Sequence, residues 1–277
     1  LFFLPLIVLW TLPRANDWTG GGGHIRLVQP AFTAEEKQDK SLSAMNIARL
    51  NGLSVDRDFL PDLVVWPETA WPHSVDITAV FPAPGGALLT GAVFRDGERH
   101  YNAALYVGPT GRIVDKYFKR RLVPFAEEKL LGDLIPSAAN FSRGAGPRNI
   151  ARFAPLICYE SAWSDAVAGR PEFILNITND NWIAGVGAAQ HLDMARRAAI
   201  ETGLPVVFAN NSGPSAVIDG AGRVLSKLDP GIVGFLDARI PPHRVSIYRR
   251  IGLNGMMGII LLVCAGLLFA FRKKRDK

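Results

Sequence analysis

Residues 251–271 form 21 consecutive positions without a charged side chain, and Arg272, Lys273, Lys274, Arg275 and Lys277 follow at once around a single acid, Asp276. A helix rises 1.5 Å per residue, so about 20 apolar residues cross the roughly 30 Å hydrocarbon core of a bilayer. The run 251–271 is therefore expected to be a transmembrane helix, with 272–277 as a basic tail. Whatever lies upstream is then tethered to a membrane at its C-terminal side. Gly255, Gly258 and Gly266 fit either helix packing or ordinary membrane-helix composition, and both readings stay open.

The formal charge is +6, but 272–277 carries +4 of it, leaving +2 for the rest. A nucleic-acid binder needs a basic face on its folded part, so that class is set aside. Two cysteines, Cys158 and Cys264, give no disulfide framework, because the second lies inside the apolar run, and Cys158 is expected to be a free thiol. At 277 residues and 48% hydrophobic, the chain has material for one large core and a membrane segment. Residues 1–12 are apolar, too few to span a bilayer, and lack the basic start of a secretory signal. They are expected to be the end of a membrane helix that begins upstream. Residues 13–23, with glycines at 20–23, read as a flexible linker, and 24–250 as the folded domain.

Within 24–250, strand-like and helix-like segments alternate. Residues 24–30 alternate as a first strand, and 34–53, rich in Ala, Glu, Lys and Leu, read as a surface helix. Residues 87–94 and 101–107 read as two strands joined by an Asp96-Gly97 turn, and 108–111 turns the chain again. Residues 130–149 read as a loop, either a lid or a solvated connection. Beyond it, 171–177 is a strand and 188–202 a helix in which Leu192, Ala195, Ala199 and Ile200 recur at helical spacing. Residues 205–209, 215–219 and 223–227 are further strands. This is the pattern of a layered α/β protein.

Three of the apolar runs end on groups that carry chemistry. Phe153-Ala154-Pro155-Leu156-Ile157 runs into Cys158-Tyr159-Glu160; Leu63-Val64-Val65-Trp66-Pro67 runs into Glu68; and Lys116-Tyr117-Phe118 runs into Lys119, which is followed by Arg120-Arg121-Leu122-Val123-Pro124-Phe125-Ala126-Glu127. Taken singly, each has a plain reading: a packed thiol, a turn-capping carboxylate, a solvated lysine. Together they supply a nucleophile, a base for its proton and a cation for an oxyanion.

In this order and with these flanks, the three motifs resemble the Glu-Lys-Cys set of the nitrilase, or carbon–nitrogen hydrolase, superfamily. Leu122-Val123-Pro124-Phe125 and Cys158-Tyr159-Glu160 resemble the apolipoprotein N-acyltransferase branch in particular. The similarity continues through Ile174 to Trp182, Gln190-His191-Leu192 and Ala209 to Gly213, and covers roughly 24–250. It departs at Gln38-Asp39, where the family would place a tryptophan shortly after Pro30.

The resemblance implies a nitrilase-like four-layer αββα sandwich followed by the C-terminal transmembrane helix, with more membrane helices ahead of it. It implies Glu68, Lys119 and Cys158 as the catalytic groups. Glu127 is expected to hold the lysine or face the substrate, Tyr159 to shape the pocket, Glu160 to orient the loop beside the nucleophile, and Asn102 to donate a hydrogen bond in the site or at a strand end. His191 reads as a packed, hydrogen-bonded histidine. The implied partners are a membrane phospholipid as acyl donor, a diacylglyceryl apolipoprotein as acceptor, and the lipid bilayer itself. The implied location is the inner (plasma) membrane, with the catalytic domain periplasmic and the C-terminus cytoplasmic. No zinc-spaced His/Cys cluster occurs, so no metal and no other cofactor is expected. A membrane-tethered nitrilase-type amide or nitrile hydrolase, and an inactive binding module, remain the competing classes.

Overall fold

Side chains alternate across a strand, so a short run that is apolar at every position must be covered on both faces. That is what the computed structural model contains; it describes residues 18–19, 21–56, 58–72, 86–128, 139–183 and 186–275. In chain order the elements are β1 (Trp18–Thr19), β2 (His24–Gln29), α1 (Ala34–Gln38), α2 (Ser43–Ser54), β3 (Leu63–Val65), β4 (Ala87–Asp96), β5 (Arg99–Val107) and β6 (Ile113–Phe118). They continue with β7 (Phe153–Ile157), β8 (Phe173–Thr178), α3 (Gly187–Thr202), β9 (Val206–Asn210), β10 (Ser215–Ile218), β11 (Val224–Leu228), β12 (Gly234–Arg239), β13 (His243–Arg244) and α4 (Ile247–Arg275). One sheet has the order β12-β2-β3-β4-β5-β6 and the other β11-β10-β9-β8-β7, while β1 pairs with β13.

Alternation sorts the apolar side chains into three cores. Ile25, Leu27, Leu63, Val65 and Leu89 of the first sheet meet Ile157, Phe173, Leu175, Ile177 and Val207 of the second. The odd-numbered residues of β7 and β8 thus face the other sheet. Their neighbours Ala154, Leu156 and Ile174, with Val206 and Phe208, pack against Ala195, Ala198 and Ala199 of α3. On the far side Val28, Val64, Leu88 and Leu105 pack against Leu50 and the half-buried Ile47 and Leu53 of α2. Helix, sheet, sheet, helix is the four-layer αββα sandwich of the nitrilase-type fold. Leu50 is fully buried, and Leu50→Ala would cost about 2–5 kcal/mol through lost transfer energy and the cavity left behind.

The topology puts one end of these layers to use. β2, β3 and β4 run parallel in the first sheet, as do β7, β8 and β9 in the second. Loops leaving the C-terminal ends of parallel strands are the usual place for a site in open α/β sheets.

Several elements differ from the sequence expectation. Segment 34–53 is two helices, because Asp39 ends α1 in extended backbone and its side chain accepts from Ser41 N (2.8 Å), opening a 3₁₀ turn that leads into α2. α1 starts on a capping box, Thr33 with Glu36. In the 188–202 helix Ile200 is exposed, so only Leu192, Ala195 and Ala199 of the four face the sheet. β1 lies inside the 13–23 linker segment, and β12 has no counterpart in the sequence expectation. β12 pairs along all of β2, and its Phe235 ring is covered by the buried Arg26 guanidinium at 3.9 Å. The β4–β5 turn is Gly97-Glu98, since Asp96 already pairs with Arg99, and Gly97 takes φ 58. Residues 139–149 hold no helix or strand; 1–12, the remainder of the 130–149 loop and the last two residues of the basic tail lie outside the described residues. α4 is interrupted at Gly252, and its stretch Asn254–Arg272, of mean hydropathy 2.2, is long and apolar enough to cross a membrane.

Candidate active site

Glu68 stands on the turn that leaves β3. Pro67 supplies the exit, and the turn is pressed so closely onto β4 that a Cβ at Gly91 would sit 2.5 Å from the Glu68 Cα. Only glycine fits there. Gly91 also donates to Pro67 O and accepts from Trp71 N, and Thr69 is held at φ 49. On the other side of the turn, Lys37 of α1 donates to Glu68 O (3.2 Å) and Thr69 Oγ1 (2.7 Å). Burial pulls the Lys37 ammonium down to about 8, against the opposing pull of Glu68.

Lys119 follows β6 directly and is tied to the sheet by its own N–H on Asn102 O (2.9 Å). Its Nζ donates to Glu127 (2.8 Å) and Glu68 Oε1 (3.3 Å). Asn102 on β5 bridges the same carboxylates, with Nδ2 at 2.7 Å from Glu68 Oε1 and 3.0 Å from Glu127 Oε1. Glu127 closes the ring by accepting from Val123 N (2.8 Å). Lys119 is 1% and Glu68 5% exposed. Burial works against the Lys119 charge, yet Glu68, Cys158 and Glu127 outweigh it and hold the ammonium above its ordinary range. The lysine is a fixed cation.

Cys158 follows β7 at φ 56, a left-handed conformation that a side-chain-bearing residue adopts at a cost and that turns the chain out of the strand. Asn176 Nδ2 holds its carbonyl (3.1 Å). Glu160, buried two residues on, accepts from Ile157 N, Arg120 N, Arg121 N and the Tyr117 hydroxyl. It therefore locks the Cys158 turn to the segment after Lys119. Burial pushes the Glu160 carboxyl up, and those donors pull it back only in part. Tyr159 donates to Leu122 O (2.7 Å) and stands edge-on to Trp163.

Glu68, Lys119, Glu127 and Cys158 converge on one cavity of about 190 Å³, with Val123, Ala126 and Trp182 completing its wall. Trp182 is exposed at the rim and Val186 is exposed on the same connection. Burial first, then the Glu68 charge, push the Cys158 thiol up despite Lys119 beside it. The neutral thiol is thereby favoured over the thiolate. Asn102 supports the cavity from behind, while Tyr159 and Glu160 serve the adjoining turns instead of lining it.

His191 on α3 is buried behind Cys158, its Nδ1 2.8 Å from Asp180 Oδ1 and 3.3 Å from Thr178 Oγ1, its ring edge-on to Phe208. Sequence spacing gives no sign of Lys37 as a support for the Glu68 turn. Asn176 and Thr178 were detectable, since they are polar residues at every second position of an otherwise apolar β8. Gln38 and Asp39, where a tryptophan would stand, are exposed at the end of α1.

The carbon–nitrogen hydrolase family model matches residues 61–250. The chain is 34% identical to the apolipoprotein N-acyltransferase of Rhodopseudomonas palustris and 33% identical to that of Brucella melitensis, matching 90% and 87% of its own length. It covers 54% and 52% of theirs, so it spans about half the length of the curated relatives it matches. Among solved structures, a carbon–nitrogen hydrolase superfamily protein from Xanthomonas campestris superposes with a TM-score of 0.60 at 19% identity, covering 80% of this chain and 91% of that one. An amidase of Nesterenkonia superposes with a TM-score of 0.61 at 19% identity, covering 83% and 93%. These two resemblances concern the fold.

Proposed function

The chain belongs to the carbon–nitrogen hydrolase family, and from that premise we propose that it is the catalytic part of an apolipoprotein N-acyltransferase. It moves a fatty acyl group from a membrane phospholipid to the N-terminal amine of a diacylglyceryl-cysteine apolipoprotein. The observation that carries the chemistry is the convergence of Glu68, Lys119 and Cys158 on one small cavity. The relatives that match most of the chain support N-acyl transfer to an apolipoprotein, and an apolar stretch able to cross a membrane supports a lipid donor.

In the first half-reaction Glu68 takes the Cys158 proton and the thiolate attacks the ester carbonyl of the donor. Negative charge gathers on the carbonyl oxygen, where the Lys119 ammonium stabilises it. Collapse expels the lysophospholipid alkoxide, which takes the proton from Glu68, and leaves a thioester on Cys158. In the second half the acceptor amine attacks that thioester, Glu68 receives the amine proton, and the proton returns to the departing thiolate. Glu127 and Asn102 hold Lys119 and Glu68 in place through both steps. Trp182, Val123 and Ala126 give the opening an apolar wall suited to an acyl chain.

The proposed layout is 24–250 as the periplasmic catalytic domain, 251–271 as the membrane anchor and 272–277 as a cytoplasmic tail. The enzyme then sits in the inner membrane with both lipid substrates at its surface.

Donor phospholipid without acceptor tests the reading. Intact mass should rise by one acyl chain, neutral hydroxylamine should remove it, and Cys158→Ala should not acquire it. Adding an apolipoprotein should discharge the chain onto its N-terminal amine. A wild type that hydrolyses a small amide and takes no acyl group from phospholipid would overturn the acyltransferase reading in favour of a hydrolase.

A further inference from the structure

At the opposite end of the strands from Cys158 lies a larger cavity of about 570 Å³, bounded by Gly169 to Glu172, Thr202 and His243 to Ser246, with Arg249 of α4. Residues 169–172 lead into the N-terminal end of β8, whereas Cys158 follows Ile157, whose partner Ile177 is near its C-terminal end. The two cavities are thus about 20 Å apart along the strand.

Three arginines border this cleft, Arg170, Arg244 and Arg249, and among the described residues none forms an ion pair with a carboxylate. Glu172, the acid in the wall, is taken by Arg152 at 3.3 Å. Glu201, next to the cleft, is 3.5 Å from Arg197. The Arg244 Nε is buried without a partner. Arg249 donates from Nη2 to Gly169 O (2.6 Å), which fixes its guanidinium at the cavity wall. Burial, then the Arg170 charge, hold that guanidinium below its ordinary value. Three cations brought together with no carboxylate paired to any of them repel one another, and an anion placed among them relieves this repulsion.

The position says which anion. Arg249 lies five residues before Asn254, where the apolar stretch begins, so the cleft stands where α4 would enter the bilayer. Guanidinium groups bind phosphate through paired N–H donors, and basic side chains beside a membrane helix attract anionic head groups. We propose that this cleft binds the head-group phosphate of an anionic phospholipid, as an anchoring site separate from the acyl-donor cavity. The inference rests on α4 being membrane-inserted. It does not rest on the chemistry assigned to Cys158.

The test uses the full chain, purified in detergent, stripped of lipid and titrated with phosphatidylglycerol or phosphatidylcholine, with bound lipid read by native mass spectrometry. Wild type should retain phosphatidylglycerol in preference to phosphatidylcholine. With each arginine worth about fivefold near a membrane surface, Arg170→Gln/Arg244→Gln/Arg249→Gln should bind it about 100-fold more weakly. If that variant does not fold, Arg170→Gln carries the test with a loss of about fivefold, since this exposed side chain makes no hydrogen bond among the described residues. Equal retention with and without the arginines, or no preference between the lipids, overturns the site. Alkaline extraction from vesicles reports the membrane reading separately. A chain that extracts as a soluble protein overturns that reading and the inference with it, whereas an inserted chain indifferent to the arginines overturns the inference alone.

Discussion

Asn102→Leu separates the support of the site from its reacting groups. The amide donates to both Glu68 and Glu127, while its Oδ1 is buried without a partner. The opposite amide orientation would aim an oxygen at two carboxylates, so the network itself fixes which end is which. Leucine keeps nearly the same volume and removes two hydrogen bonds to charged groups, worth about 1.5–3 kcal/mol each. It also removes the unpaired Oδ1, which returns about 1–3 kcal/mol, so the mid-range net loss is about 2.5 kcal/mol. Glu68 then keeps only the 3.3 Å contact to Lys119 on its Oε1. A base free to shift by an ångström loses about 10–100-fold in kcat with KM little changed. Unfolding in detergent followed by tryptophan fluorescence gives the first number, and acyl transfer from phospholipid the second. A variant within about 0.5 kcal/mol of wild type and with unchanged kcat would refute the bridging role.

Three further outcomes follow from the same geometry. Cys158→Ala should stay folded, since alanine tolerates φ 56 no worse than cysteine does, and should be inactive; residual transfer in the folded variant removes Cys158 as nucleophile. Lys119→Arg should lose most activity although the charge is kept, because a planar fork cannot place one compact cation between Glu68 and Glu127, and near-normal rates would argue against an oxyanion role. Burial opposes the charge on His191, but Asp180 outweighs it and raises the imidazole above its ordinary value; the pair's contribution to stability is present in full below that ordinary value and is lost as pH rises through the raised one. Asp180→Asn should flatten this slope and lower the His191 titration midpoint seen by NMR, and an unshifted midpoint would refute the pairing.

Where the sequence was readable, the physics was local. The runs before Glu68 and Cys158 are apolar at consecutive positions, so their burial on two faces, and the exit of a polar group at their ends, follow from period two alone. What could not be read depends on partners distant in the chain. β12 is recognisable only once β2 offers an edge and Arg26 covers Phe235, and the Asp39 break in 34–53 turns on a single side chain accepting from Ser41. Glu160 sits in the same motif as Cys158, yet its four donors come from β6, the segment after Lys119 and β7, so its place outside the cavity could not be told from the tripeptide. Lys37 reaches the Glu68 turn from a five-residue helix with no apolar periodicity to announce it.

The two ends of the domain set a geometric demand on α4. On the proposed function the cavity has to face the bilayer, but α4 leaves from the other end of the strands, about 20 Å away along β8. Strands standing along the membrane normal would keep Cys158 clear of the lipid, and strands lying across the surface would bring it down. If α4 spans the membrane as proposed, the chain must therefore turn between domain and span, and Gly252, where φ 65 and ψ −176 interrupt the helix, supplies that turn. That region is essentially reserved for glycine and costs another residue about 1–3 kcal/mol, while alanine gains about 1 kcal/mol over glycine by staying helical. A Cβ at Gly252 meets nothing within 4 Å on the present backbone, so Gly252→Ala acts through backbone preference and favours a straight α4. The expected result is a split between substrates. Turnover of a short water-soluble ester should be unchanged, because the Glu68, Lys119 and Cys158 cavity is untouched, while acyl transfer from bilayer phospholipid should fall by about tenfold or more, as the cavity no longer lies against the lipid. An equal effect on both substrates, or none on either, would mean that the turn at Gly252 does not set how the domain meets the membrane.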